Sequence, residues 1–135
     1  MNLLLTSNRL SPVQFRLSQV LRILAAIILF QSLFYKFGAH PDSVALFSIL
    51  DLEPWGRIGL GTIELLVVAL LIIPKTQLIG SFLGIGIMSG AILTHLFVIG
   101  IVFREDGGRL FSLALLCWSC CLINFLLFYK LFRPH

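Results

Sequence analysis

The chain of 135 residues is 59% hydrophobic and only 12% charged, with a mean hydropathy of +1.03. A soluble domain carries about 25% charged residues, so the composition excludes a water-soluble globular protein. It also excludes a nucleic-acid reading of the net charge of +4. The length allows one domain, 1–135.

Charge is segregated along the chain. Residues 76–103 and 110–129 hold no Asp, Glu, Lys or Arg, and about 20 such residues cross the hydrocarbon of a bilayer as a helix.

In chain order, Ser11-Pro12-Val13-Gln14 supplies a capping Ser, a Pro at the first helical position and a Gln three residues after the cap. Helix formation therefore begins ahead of the membrane, with Arg16 and Gln19 at headgroup level. Span 1 covers about 17–37, interrupted by Arg22 and closed by Lys36. In the connection 38–56, His40-Pro41-Asp42-Ser43 reads as a helix start, Val44, Phe47 and Leu50 share a face, and Trp55 suits a headgroup-level anchor. This segment is either a short interfacial helix over the bundle mouth, a candidate lid, or a plain connecting loop.

Span 2 covers about 57–74, uncharged except for Glu64 between Arg57 and the stop at Pro74. Lys75-Thr76-Gln77 turns tightly into span 3, about 77–102, and Asp106-Gly107-Gly108 turns into span 4, about 110–132. Period-two alternation is missing, so a β-barrel has no support. Leu3-Leu4-Leu5 is too short for the apolar region of a secretory signal. The expectation is an all-α polytopic membrane protein: a four-transmembrane-helix bundle with a short interfacial helix between spans 1 and 2.

The basic excess reads as a topology signal. If the spans alternate, Arg9, Arg16, Arg22, Lys75, Lys130 and Arg133 fall on one side. Lys36, Arg57, Arg104 and Arg109 share the other with Asp42, Asp51, Glu53, Glu105 and Asp106. The acid-free side is expected to be cytoplasmic, placing both termini there and the 38–56 connection outside.

An ionisable group inside a span costs at least ~2.5–3.5 kcal/mol on insertion scales and usually has a reason. Glu64 lies seven residues past Arg57, His95 seven before Val102, and Cys117 seven after Leu110. Each is thus ~10 Å below the outer surface at helical rise, and Gln31 sits at a similar level in span 1. Arg57, Gly61 and Glu64 share one helix face, and Gly84, Met88, Ala91 and His95 another. The small residues Gly80, Gly84, Gly86, Ser89, Gly90 and Thr94 let span 3 approach its neighbours closely. Glu64 and His95 are therefore expected to face each other within direct or one-water reach, with Lys36 and Arg57 at the mouth to attract an anion or pair with Glu64.

Blander readings stand beside these. A buried Glu and His also serve simply to lock a bundle, Gln31 can be interhelical glue, and Arg22 and Lys130 read as snorkelling anchors. Cys117, Cys120 and Cys121 carry a CxxC spacing, but mid-helix they lack the electropositive setting of a reactive thiol. They read as small apolar packing residues, and three cysteines on one helix do not present a tetrahedral metal set.

Four stretches together resemble the DoxX family of small four-span bacterial membrane proteins, from about Arg22 to the end of span 4. These are Phe34-Tyr35-Lys36-Phe37, Pro54-Trp55-Gly56-Arg57-Ile58-Gly59 leading to Glu64, Met88-Ser89-Gly90-Ala91-Ile92-Leu93-Thr94-His95, and Asp106-Gly107-Gly108-Arg109-Leu110-Phe111. The resemblance implies a four-helix membrane bundle in a bacterial inner membrane, with Lys36, Glu64 and His95 at signature polar positions. Some relatives are subunits associated with quinone-linked sulfur oxidation, others are linked to thiol and oxidative-stress systems, and more distant ones act in assembly or cargo handling.

Two functions follow as expectations. The first is a redox-associated membrane subunit with an outward-facing pocket for a quinone or small molecule. Glu64 and His95 would handle protons there, and Gln31, Lys36, Arg57, Thr94 and Trp118 would contact the ligand. Phe30, Phe34, Phe97 and Trp118 would form its walls. No covalent cofactor or metal is expected, so a redox partner protein would carry electrons, and a homo-oligomer is a further partner. The second is a non-catalytic assembly or stabilising factor that captures a lipid, peptide or partner helix. A carrier ranks third, four spans being few for alternating access.

Overall fold

The computed structural model describes residues 11–104 and 107–132. Helix α1 runs Pro12–Phe37. Its start is the expected capping box: the Gln14 N–H donates to Ser11 Oγ, and the Ser11 N–H to Gln14 Oε1, both at 3.1 Å. The Gly38 N–H closes the last turn on the Phe34 carbonyl at 3.1 Å.

A short helix, α2, then runs Pro41–Ile49. His40 caps it, its Nδ1 accepting from the Asp42 N–H at 3.1 Å, and Phe47 is its buried residue. The segment 38–56 thus contains a real helix. Residues in the left-handed region flank it on both sides, Ala39 at φ 52° and Asp51 at φ 59°.

Helix α3, Trp55–Ile72, begins two residues earlier than the expected span. It ends at Ile73, whose extended backbone is what a following Pro requires. A single 3₁₀ turn, Pro74–Thr76, leads into α4, Gln77–Thr94. From His95 to Ile99 the helix widens into a π-helical turn that ends at Gly100, φ 84°. Span 3 is therefore three residues shorter than the 77–102 expected, because this glycine conformation stops it. Helix α5 covers Arg109–Phe132 after a turn in which Gly107 and Gly108 take φ 67° and 84°. Asp106, the first residue of that turn, lies outside the described residues.

Four of these helices are long and apolar enough to cross a membrane. They pack in the cyclic order α1, α3, α4, α5, each against its two neighbours in the ring. The core is made by Ala25, Leu29, Val67, Leu71, Met88 and Ala114 with the three cysteines. Cys117, Cys120 and Cys121 are free thiols, at most 2% exposed. Outward, Phe30, Phe34, Leu66, Phe82, Phe97 and Val98 stand about half to four-fifths exposed. Soluble monomers rarely carry contiguous apolar surface on this scale, and a lipid bilayer is the environment such a surface requires.

Glycines set two close approaches. A Cβ on Gly80 would lie 2.9 Å from the Leu71 nitrogen, and one on Gly84 would lie 2.6 Å from Cys121 Sγ. Small residues thus bring α4 against both α3 and α5, as the small-residue pattern implied.

Arg22 corrects the expectation of a snorkelling anchor. Its side chain is buried, and Nη1 donates to the Leu71 and Ile72 carbonyls at 2.9 and 2.8 Å. These carbonyls are orphans of the last turn of α3, so Arg22 caps a neighbouring helix. Close by, Ser18 donates to Asn124 Oδ1, and Asn124 Nδ2 reaches Ser81 Oγ at 2.8 Å and Gln77 Oε1 at 3.5 Å. This buried polar knot ties α1, α4 and α5 at the end of the bundle that carries the termini.

Candidate functional site

At the opposite end, all five helices enclose a cavity of about 460 Å³. Its deeper walls are Ile28, Leu29, Ile87, Met88, Leu113 and Ala114, and its rim carries Gln31, Tyr35, Lys36, Asp42, Thr94 and Arg109. Gly86 and Gly90 also border it, and a Cβ at either would meet nothing within 4 Å. The absence of side chains there contributes to the volume. Helix α2 forms one side through Ser43, Leu46, Phe47 and Leu50. The Arg104 guanidinium, 3.0 Å from Asp42 Oδ1, ties α2 to the α4–α5 connection.

Glu64 is 2% exposed. Its Oε2 lies 3.1 Å from Lys36 Nζ and accepts from Ser32 Oγ at 2.9 Å. Lys36 also donates to Ser32 Oγ at 3.3 Å. One turn of α1 therefore presents Ser32 and Lys36 together to a carboxylate from α3, an i, i+4 pair that a buried carboxylate needs for its lone pairs.

His95 is 4% exposed and sits where α4 widens. Its Nδ1 is 3.0 Å from the Gly100 carbonyl oxygen, and its ring lies 5.6 Å from that of Phe111. Glu64 and His95 both border the cavity. They are not bonded to each other: the carboxylate is engaged by α1, and the imidazole by the backbone of its own π-helical turn.

The other expected contacts divide. Gln31, Lys36 and Thr94 border the cavity, with the Thr94 hydroxyl donating back to the Gly90 carbonyl at 2.8 Å. Arg57 does not. Its Nε lies 2.9 Å from Glu53 Oε1, and its Nη1 donates to the Lys36 carbonyl, so it closes the junction of α1 and α3 instead of pairing with Glu64. Trp118 is also absent from the lining. Its indole N–H donates to Ser89 Oγ at 3.0 Å between α4 and α5. Phe30, Phe34 and Phe97 face outward, Phe97 at 80% exposed. The deeper walls are aliphatic where Phe30, Phe34, Phe97 and Trp118 were expected, and Tyr35 and Phe47 are the aromatic residues among the lining.

Sequence reasoning missed Ser32, Tyr35 and Arg109. Arg109 Nη2 donates to the Tyr35 hydroxyl at 3.1 Å, which joins the first turn of α5 to the last turns of α1. The signal for Ser32 was available, since it stands four residues before Lys36 on the same helix face. Among the described residues no cluster of three or more His, Cys, Asp or Glu is placed to hold a metal ion.

Neither curated proteins nor solved structures yield a match to this chain. The family model described as the DoxX-like family matches residues 20–121, a stretch that contains α2, α3, α4, most of α1 and the first half of α5. Both Glu64 and His95 lie inside it, as do Ser32 and Lys36. The chain belongs to the DoxX-like family.

Proposed function

We propose that this DoxX-type membrane protein is a redox-associated subunit whose outward-facing cavity binds a quinone-class small molecule. The observation that carries the reading is the cavity itself. A largely apolar chamber of about 460 Å³ is large enough for one substituted ring with part of its tail, at the low end of small-molecule sites. Among the polar groups that border it, the buried Glu64 stands on α3 with its partner Lys36 on α1, and the buried His95 stands at the end of α4, as a site needs when it orients a ring by its two oxygens. An imidazole is suited to exchange the proton that accompanies each electron at a ring oxygen. Lys36, 3.1 Å from Glu64, offers a donor to the opposite oxygen. The electrons pass to or from a partner protein. The alternative, a holder of lipid or peptide, draws on the same apolar walls and is separated by the test.

Glu64→Gln and His95→Gln preserve size while removing proton exchange at either position. Both are expected to insert and purify near wild-type yield. Both are also expected to bind a decyl-tailed hydroquinone at least ~10-fold more weakly, about 1.4 kcal/mol. Lys36 borders the cavity, where water can solvate it once its partner is gone, so the loss of stability stays below the ~3–5 kcal/mol of a sealed ion pair. Collapse of both variants on extraction, or unchanged binding in both, contradicts the functional reading.

A further inference from the structure

The His95–Gly100 contact has a chemical consequence for the ligand. A carbonyl oxygen only accepts hydrogen bonds, so the 3.0 Å contact between His95 Nδ1 and the Gly100 oxygen requires the proton on Nδ1. In the neutral ring Nε2 then carries the lone pair. Among the described residues nothing hydrogen-bonds Nε2, although the ring is 4% exposed and borders the cavity. The backbone keeps this arrangement in place. The π-helical turn His95–Ile99 and the left-handed Gly100, φ 84°, fold the carbonyl back onto the ring that opens the turn. Such widened turns are frequent at functional sites. On the other side of the cavity the Glu64 carboxylate is a second acceptor, toward which Lys36 Nζ and the Ser32 hydroxyl donate among the described residues.

We infer that His95 is a specificity-determining hydrogen-bond acceptor, and that the cavity selects a head group bearing a hydroxyl donor. Within the quinone class this is the reduced, dihydroxy ring. One hydroxyl donates to Nε2, and the oxygen across the ring meets Lys36 and Glu64. A fully oxidised ring offers Nε2 only a second acceptor, so it sets two lone pairs against each other and displaces any water that would donate to Nε2 in the free cavity. The inference rests on the quinone-class reading and is tested separately from it.

Three probes with one ring and one tail separate the possibilities: the decyl-tailed hydroquinone, its benzoquinone and its dimethyl ether, each titrated anaerobically onto the full chain in nanodiscs. The ether keeps the shape and the acceptor oxygens and lacks both donors. The hydroquinone is expected to bind about 10-fold or more tightly than the ether or the quinone. In His95→Phe, which keeps a ring and loses the acceptor, the preference is expected to fall to within ~2-fold. Nitrogen-15 spectra of the wild-type imidazole supply a readout independent of the variant's folding. They are expected to show a protonated Nδ1 and a bare Nε2 that shifts when hydroquinone is added. Equal binding of hydroquinone and ether, or a proton on Nε2 in the free protein, overturns the inference and leaves the quinone-class reading standing. Failure of all three probes to bind overturns that reading, and the inference with it.

Discussion

At the scale of single residues, the two cations that α1 turns toward its neighbour α3, one buried and one part-buried, have different partners. Lys36 faces a carboxylate at 3.1 Å, whereas Arg22 faces the two carbonyls that α3 leaves open. Hydrogen bonds from a charged donor are worth about 1.5–3 kcal/mol. Arg22→Met, which keeps the apolar stem and leaves those carbonyls orphaned, is expected to destabilise the bundle by about that much. Thermal unfolding in detergent checks this; an unchanged midpoint would return Arg22 to the role of a surface anchor. Gly84 supplies a second residue-scale prediction. Its added Cβ would overlap Cys121 Sγ at 2.6 Å, so Gly84→Ala is expected to cost about 1–3 kcal/mol through overpacking. Cys121→Ala in the same chain removes the clashing sulfur, so the double variant is expected to lose less than the sum of the singles. Strict additivity would show that the two helices do not meet at this point. The apolar reading of the cysteines was legible because they stand mid-helix in a stretch, 110–129, that carries no basic residue to activate a thiol. Arg22 was misread because depth in a span identifies a polar residue without identifying what it caps.

At the scale of elements, α4 combines close packing with open space. Gly80 and Gly84 sit where neighbours crowd it, and Gly86 and Gly90 where nothing does. Gly90→Ala is therefore expected to be neutral or to stabilise by up to ~1 kcal/mol through helix propensity, with its methyl narrowing the cavity. A loss of stability on the scale of Gly84→Ala would show that the space beside Gly90 is filled. The sequence pattern marked α4 as rich in small residues, but two of the four glycines pack and two leave room, a distinction that depends on neighbours rather than spacing. The helix in 38–56 was legible from His40-Pro41-Asp42-Ser43, which is a cap followed by a first-turn Pro and acid. Its contribution to the cavity wall was not, because Leu46 and Phe47 acquire that role only once α1 and α4 are in place. The π-helical turn left no periodic signature at all. It shortens span 3 and turns the Gly100 carbonyl onto His95, and only Gly100 marked it in the chain.

At the scale of the whole molecule, four antiparallel spans put the acid-free basic flanks at one end and the cavity at the other. We expect the cavity end to face outward, on the basis of that charge bias. Ser48 on α2 and Lys75 in the α3–α4 turn are both exposed, and the native thiols are buried. A membrane-impermeant maleimide applied to intact cells is expected to label Ser48→Cys and not Lys75→Cys; the reverse pattern inverts the topology. The architecture was legible because uncharged runs and span lengths report directly on a bilayer. The arrangement around Glu64 was less so. Depth counting brings residues to one level, whereas partner choice depends on which helices are adjacent in the ring, and adjacency of α1 and α3 gives Glu64 to Ser32 and Lys36. The central claim, a cavity built for a quinone-class ligand, is tested most directly by native mass spectrometry of gently extracted wild-type protein beside Gly90→Leu. The account predicts a small apolar adduct of quinone or hydroquinone mass on the wild type and its loss from the variant, whose added side chain occupies the cavity. An adduct of phospholipid or peptide mass, or a quinone retained equally by both proteins, would contradict it.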